Sequence, residues 1–207
     1  MNTFFEYFQI LAFIIAFIAF IGRMLYLIVR KNVNPIVIGI GKNLEQRIFE
    51  VLFVIIFCIW IIIVILSVFK PGYFILPSFL YLQLFDTLLT KIIGAILIIL
   101  GILIFYFALL SFRNSWRLGI DDMHPGELIT NGVFSFSRNP IYVFLDLFFL
   151  GIFLINGILI FLIFSFVLIT CLHIQIIQEE KFLLSNYADV YRKYCTKTGR
   201  YFTLKKN

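Results

Sequence analysis

The chain turns polar at residues 128–142, which read LITNGVFSFSRNPIY, and then enters another apolar segment. Asn139 and Pro140 predict a helix start, because Asn is a favoured N-cap and Pro fits the first helical position. Arg138 directly precedes this start, where free N–H groups and the positive end of the helix dipole favour an anion. We interpret the stretch as a ligand-binding corner at a membrane surface.

The composition of the whole chain indicates a membrane protein. Of its 207 residues 62% are hydrophobic and 14% charged, and its mean hydropathy is +1.05. A soluble domain is about half apolar and about a quarter charged. The net charge of +6 comes from basic residues near segment ends, which indicates membrane sidedness and no nucleic-acid partner. Three separated cysteines and two histidines predict neither a disulfide framework nor a metal site.

Apolar runs predict an all-α polytopic fold with about five transmembrane helices, at residues 10–29, 48–69, 88–112, 140–155 and 158–177. We take the first as a retained span, since no basic leader precedes it. The turn dipeptide Asn156-Gly157 predicts that the last two spans form a helical hairpin. Beyond residue 177, mixed apolar and charged residues at helical spacing predict an amphipathic C-terminal helix, on the membrane surface or against the core.

The positions of Lys and Arg predict the orientation of these spans. Fourteen of the 17 lie on the side of the first loop, the 113–138 connection and the tail, and two lie on the other side. Under the positive-inside rule, the N-terminus is outside and the 113–138 loop and the C-terminus are cytoplasmic. The chain is one integral membrane domain, 1–207, with three N-terminal spans in 1–112 and the loop, hairpin and tail in 113–207.

The predicted hairpin brings several polar residues to one cytoplasmic mouth. Arg138, Tyr142 and Asp146 are spaced four residues apart and share one face of the fourth span, which makes them the catalytic candidates. A carboxylate such as Asp146 inside a span is costly and usually marks function or a buried partner. On the fifth span Gln175 and Glu179 share a face. The Glu179-Glu180 pair lies about a turn further out, although such pairs more often form a solvated helix face.

Four motifs carry a resemblance: Leu128-Ile129-Thr130-x-Gly132-Val133-Phe134, Arg138-Asn139-Pro140-x-Tyr142, Glu179-Glu180 and Tyr191-x-x-Tyr194. Together they resemble the isoprenylcysteine carboxyl methyltransferase family, which is related to the membrane phospholipid methyltransferases, over roughly residues 113–201. The resemblance implies S-adenosylmethionine as methyl donor in a pocket roofed by the loop and the tail. The donor-binding residues that it implies are Glu127, Leu128, Ile129, Phe134, Asn139, Pro140, Ile141, Tyr142, Glu179 and Glu180.

Three residues depart from the family pattern. Asn139 replaces the usual His and should still cap the helix, whereas Phe144 replaces a Gly and should hinder close helix approach. Gln175 replaces an Arg that the family assigns to the acceptor carboxylate, so Gln175 is the substrate-side candidate. This last change favours the donor half of the site over a prenylcysteine acceptor.

The sequence therefore predicts an integral membrane methyltransferase that acts on a lipophilic acceptor in contact with membrane lipids, either an isoprenylcysteine-type carboxylate or a lipid amine. A carboxylate needs no base, but an amine or hydroxyl would need one, and the candidates are Asp146, Glu180 and His173. Two alternatives are an NADPH-dependent sterol-type reductase, which should carry more basic residues for its larger anionic cofactor, and a non-catalytic membrane scaffold. The acceptor and the oligomeric state stay open.

Overall fold

A computed structural model describes residues 2–31, 44–69, 76–111 and 128–203. In these ranges the chain forms helices and no strand, which confirms the predicted all-α polytopic fold. There are five α-helices, α1 (Asn2–Lys31), α2 (Leu44–Phe69), α3 (Leu88–Ser111), α4 (Pro140–Asn156) and α5 (Leu159–Lys197), and two short 3-10 helices, Ser78–Tyr81 and Gly132–Ser135.

The helix lengths fit an integral membrane protein. In the described ranges α1, α2, α3 and α5 are long and apolar enough to cross a membrane. Helix α4 is equally apolar but has 17 residues, so it is about 25 Å long, slightly shorter than the hydrocarbon layer of about 30 Å. The count of five complete spans therefore stays a prediction.

Helices α4 and α5 form the predicted antiparallel hairpin. Gly157 ends α4 in the left-handed conformation, with φ of 60°, and its N–H donates to Phe153 O at 2.7 Å. Such a positive φ favours Gly at the helix C-cap. Midway along the hairpin the Ser165 hydroxyl donates to Phe149 O at 3.0 Å. The turn and this bond hold the two helices in register.

Helix α3 packs on α4 through glycines. A Cβ at Gly94 would lie 2.6 Å from Gly151 O, and one at Gly151 would lie 2.7 Å from Gly94 O. Small residues let membrane helices approach this closely. Nearer the site, a Cβ at Gly101 would lie 3.1 Å from Phe144 O. The prediction that Phe144 hinders close approach is therefore wrong, because the glycine lies on α3 instead of α4.

The segment after residue 177 differs from the predicted separate helix. Helix α5 continues without interruption to Ala188, whose φ of 42° and ψ of −116° are non-helical, and a short helical stretch follows to Lys197. Tyr191 and Tyr194 in that stretch are buried. The tail therefore packs against the core of the protein, which is one of the two predicted locations. Its aromatic face covers the segment at the start of α4.

Candidate active site

Helix α4 begins at Pro140 as predicted, but Asn139 does not cap it. The Asn139 side chain makes no cap hydrogen bond, and its Nδ2 instead donates to Glu180 Oε1 at 3.3 Å and to Arg200 O at 3.2 Å. A side-chain cap needs the amide oxygen to accept from an N–H of the first helical turn, and with Nδ2 bound to Glu180 and Arg200 no such bond forms. The predicted side-chain cap is therefore wrong, and Asn139 ties α4 to α5 and the tail.

Glu180 is the centre of an ion-pair cluster at this end of the hairpin. Its Oε1 lies 2.9 Å from Arg138 Nη2. Its Oε2 accepts hydrogen bonds from Arg200 Nη2 at 2.7 Å and Arg200 Nε at 3.0 Å. The Arg138 and Glu180 side chains are each 12% exposed, so both charges are largely desolvated. The hydrogen bond to Glu180 raises the pKa of Arg200, which stays charged.

Tyr142 and Glu179 meet on the inner side of this cluster. The Tyr142 hydroxyl donates to Glu179 Oε1 at 2.5 Å, a short bond of the charge-assisted kind. The sequence motifs selected Tyr142 and Glu179 separately, and the structure joins them. The motifs missed Glu50 of α2, which is buried and lies within electrostatic range of Tyr142. A carboxylate inside the apolar 48–69 run was the available signal.

The segment before α4 forms one wall of the site. Leu128 and Ile129 are half-buried, and Phe134 is buried in the Gly132–Ser135 3-10 helix. The Phe134 carbonyl accepts a hydrogen bond from the Tyr194 hydroxyl at 2.5 Å. Ile141, in the first turn of α4, is half-buried against the core. Glu127 lies outside the described residues, as does most of the 113–138 loop.

The chain end covers the start of α4. We call residues 198–203 the strap. The Arg138 N–H donates to Gly199 O at 3.0 Å, and the Thr203 N–H donates to Phe136 O at 2.7 Å. Arg200 of the strap binds Glu180, as described above. The start of α4 is therefore covered by the irregular backbone and the arginine of the strap together with the buried Tyr191 and Tyr194. Arg200 carried no sequence motif that could have selected it.

Three further polar residues lie beneath the strap. His173 Nδ1 is 2.6 Å from the Tyr201 hydroxyl, and the two rings stack with an interplanar angle of 14°. Asp146 is half-buried, and its Oδ1 is buried without a hydrogen-bond partner among the described residues. Burial first, and then the charge of Asp146, raise the pKa of Tyr201. Gln175 is half-buried, one turn before Glu179.

The described residues thus define an integral membrane protein with a charged mouth at one end of a helical hairpin. No three His, Cys, Asp or Glu side chains in those ranges are grouped to hold a metal ion. Residues 89–190 match the family model of the phospholipid methyltransferases. This region, which runs from α3 into the tail, belongs to that family of membrane methyltransferases, and the resemblance to the isoprenylcysteine carboxyl methyltransferases is confirmed at the family level. No curated protein matches the chain.

Proposed function

We propose that the protein transfers a methyl group from S-adenosylmethionine to a lipid-like acceptor, at the mouth formed by the start of α4, the end of α5 and the strap. The observation that carries the proposal is the Tyr142–Glu179 hydrogen bond beside the Arg138–Glu180 ion pair. All four residues lie in the region that matches the methyltransferase family.

The chemistry of the mouth fits a zwitterionic donor. Asn139 leaves the first N–H groups of α4 without a side-chain cap, and an uncapped helix start favours a carboxylate. Arg138 Nε is buried without a hydrogen-bond partner in the described part of the chain and adds another donor. Glu179 suits an amino group or ribose hydroxyls. Leu128, Ile129, Phe134, Pro140 and Ile141 would form the apolar wall for the adenine.

The reaction needs positioning more than acid or base chemistry at the donor side. When bound, S-adenosylmethionine supplies a methyl group on a positively charged sulfur. The chain's task is to hold the acceptor in line with that methyl group and to exclude water, which contributes through effective molarity. The strap and the buried Tyr194, whose hydroxyl binds Phe134 O, close the cytoplasmic side. Tyr142 and Glu179 therefore act in a partly desolvated site.

The charges beneath the mouth favour an amine as the acceptor. Both arginines of the cluster, Arg138 and Arg200, pair with Glu180. Gln175 is neutral at the position where the related family has an Arg. Deeper along α4 the ionisable group is the carboxylate of Asp146, which attracts an ammonium and repels a carboxylate. We therefore propose a lipid amine in preference to a prenylcysteine carboxylate.

Donor binding tests the proposal directly. Labelled S-adenosylmethionine should bind the purified protein in lipid nanodiscs. Glu179→Ala should weaken binding by about 10- to 100-fold, since a charge-assisted bond is worth about 1.5–3 kcal/mol. Tyr142→Phe should weaken it less. Matched controls are Asp189→Ala and Tyr106→Phe, whose side chains are exposed. No binding by the parent protein would overturn the proposal, and binding of NADPH instead would favour the reductase.

We also propose that the mouth is cytoplasmic, as the distribution of basic residues predicts. In a variant without Cys58, Cys171 and Cys195, a cysteine at Phe202 of the strap should react with an impermeant reagent from the cytoplasmic side alone. A cysteine at Phe79 should react from the outside. Both positions are well exposed, at 61% and 67%. The reverse pattern would overturn the orientation.

A further inference from the structure

The cover over the start of α4 has two parts, which are held by different contacts. In the helical stretch that ends α5, Tyr191 and Tyr194 are buried, and the Tyr194 hydroxyl donates to Phe134 O at 2.5 Å. In the strap, Tyr201 is half-buried and Phe202 is 61% exposed. The helical stretch is therefore anchored by its two tyrosines, whereas the strap buries less apolar surface.

Hydrogen bonds and an ion pair hold the strap in place. The Arg200 carbonyl accepts from Asn139 Nδ2 at 3.2 Å, and the Arg200 guanidinium pairs with Glu180. The Tyr201 hydroxyl lies 2.6 Å from His173 Nδ1. Two backbone hydrogen bonds, described above, add to these contacts. A segment that is held mainly by polar contacts, with few buried apolar ones, opens locally at low free energy.

The strap begins at residues with the features of a hinge. Thr198 is buried and ends the helical stretch, and its N–H donates to Tyr194 O at 3.0 Å. Gly199 follows, and a Cβ at this position would overlap Phe202 O. The observed strap therefore requires glycine at 199. Rotation at Gly199 would move the strap and leave the helical stretch in place, as hinges at the ends of elements do.

The donor that we propose for the mouth has to pass this cover. S-adenosylmethionine is charged and water-soluble, so it does not reach the start of α4 through the hydrocarbon layer. On the aqueous side it meets the helical stretch and the strap. The strap has the weaker anchorage of the two, and its partners Arg138, Asn139 and Glu180 surround the proposed donor site.

We propose that the strap is a lid, which lifts about Gly199 to admit the donor and closes over it before methyl transfer, an inference that rests on the proposed function. When the strap lifts, Arg200 leaves Glu180 and Tyr201 leaves His173, and the start of α4 opens to water. When the strap closes, these contacts form again and water is excluded from the site. The demethylated product leaves by the same movement.

A reversible lock tests the lid. In the full chain without its three native cysteines, Phe136→Cys and Thr203→Cys place thiols on backbones that an N–H···O bond of 2.7 Å joins, a separation that a disulfide can span. Oxidation in lipid nanodiscs, verified by mass spectrometry, should lower the rates of donor binding and donor release by at least about tenfold. Donor that is loaded before oxidation should stay bound, and reduction should restore both rates.

The matched control locks the turn end of the hairpin. Leu82→Cys and Leu159→Cys lie on backbones that the same kind of bond joins, from the Leu159 N–H to Leu82 O at 2.9 Å. This lock should leave donor binding and release unchanged. At either site a short bismaleimide replaces the disulfide where oxidation is incomplete. Each locked protein is compared with its own unlinked form, so that a loss of stability in the variant does not affect the comparison.

Loosening the strap should have the opposite effect. Gly199→Ala prevents the closed conformation and should raise the rates of donor binding and release by at least about tenfold. Tyr201→Phe loses the contact to His173 and should raise both by about two- to tenfold, the effect of one hydrogen bond. The donor Kd should change less than either rate. Gly22→Ala, where a Cβ meets nothing within 4 Å, is the control and should change neither rate.

The outcomes distinguish the lid from the proposed function. If the locked strap leaves donor binding and release at the rates of the unlinked form, the donor takes another route. If Gly199→Ala and Tyr201→Phe raise the release rate alone, the strap is a fixed wall that contacts the donor. A turn-end lock that slows the donor as much as the strap lock would also overturn the lid. Failure of the unlinked protein and of the parent to bind donor would contradict the proposed function itself, and the lid with it.

Discussion

The two ends of the α4–α5 hairpin are built from different chemistry. At the turn end, neutral groups bind backbone: Gln83 Nε2 donates to Asn156 O at 2.8 Å, and the Leu84 N–H donates to Gly157 O at 2.7 Å. Asn156 Nδ2 also donates to Gln9 Oε1 of α1 at 2.9 Å. At the mouth, two ion pairs hold the chain together instead, between Glu180 and each of Arg138 and Arg200.

The difference separates what fastens the fold from what serves a ligand. Neutral hydrogen bonds to backbone hold a turn with little desolvation cost. A buried ion pair costs more to desolvate and is weak evidence for stability, so its retention calls for another reason. Both ends hold the same two helices together, but the charged groups at the mouth cost more free energy to desolvate. The charged donor that we propose for the mouth would be such a reason.

The largest expected effect is at the mouth. Glu180→Ala leaves Arg138 in a site where its side chain is 12% exposed. Removing one partner of a buried pair costs about 3–5 kcal/mol, so denaturant unfolding in detergent should show a loss of this size and donor binding should be abolished. Asp189→Ala, which breaks the exposed Asp189–Arg192 pair, should leave both unchanged. A loss below about 1 kcal/mol would mean that solvent screens the mouth.

The second effect tests the framework that both ends share. Gly151→Ala places a Cβ 2.7 Å from Gly94 O, a backbone atom that cannot move aside. The free energy of unfolding should fall by about 1–3 kcal/mol, with donor affinity unchanged. Gly22→Ala on α1, where a Cβ meets nothing within 4 Å, is the matched control and should not destabilise. An equal effect of the two substitutions would show that α3 and α4 do not pack through this contact.

The sequence predicted those features of the fold that depend on neighbouring residues, and it failed where distant residues pair. Periodicity and turn chemistry are local, so the α4 start at Pro140 and the turn at Asn156-Gly157 were predictable. Which side chains pair is a non-local matter. The interpretation of Asn139 as a side-chain cap was wrong because the two acceptors that bind its amide nitrogen, Glu180 Oε1 and Arg200 O, are distant in sequence. Likewise, Phe144 stands where a glycine was expected, and Gly101 of α3 permits the close approach of the two helices instead. The sequence of α4 alone could not reveal this.

The candidate site divides in a similar way. The motifs selected Arg138, Tyr142, Glu179 and Glu180, and the structure brings all four together. Arg200 was not selected, since a lone arginine in a basic tail has no distinguishing pattern. The roles of these residues in donor binding stay proposals, because the contacts describe the chain's own pairing.

The third effect is at the turn end. Gln83→Leu removes hydrogen bonds to Asn156 O and Phe85 O, and a typical hydrogen bond contributes about 0.5–1.5 kcal/mol. Unfolding experiments should show a loss of about 1–2 kcal/mol. Donor affinity should match that of the parent, since the turn is a helix length away. Reduced donor affinity would contradict the separation of the two ends.

The smallest expected effect is a change in the pH dependence of stability, which should be seen for the mouth and not for the turn end. Burial and the charge of Asp146 raise the pKa of Tyr201, so the folded protein favours the neutral phenol more than the unfolded chain does. This contribution to stability is fully present below the ordinary tyrosine pKa of about 10 and is lost as pH rises through the raised value. Denaturant unfolding from about pH 8 to pH 11 should therefore show falling stability. Tyr201→Phe should flatten part of that fall, whereas Gln83→Leu should lower the whole curve and keep its slope. If Tyr201→Phe kept the parent slope, burial at the mouth would not raise the pKa of Tyr201.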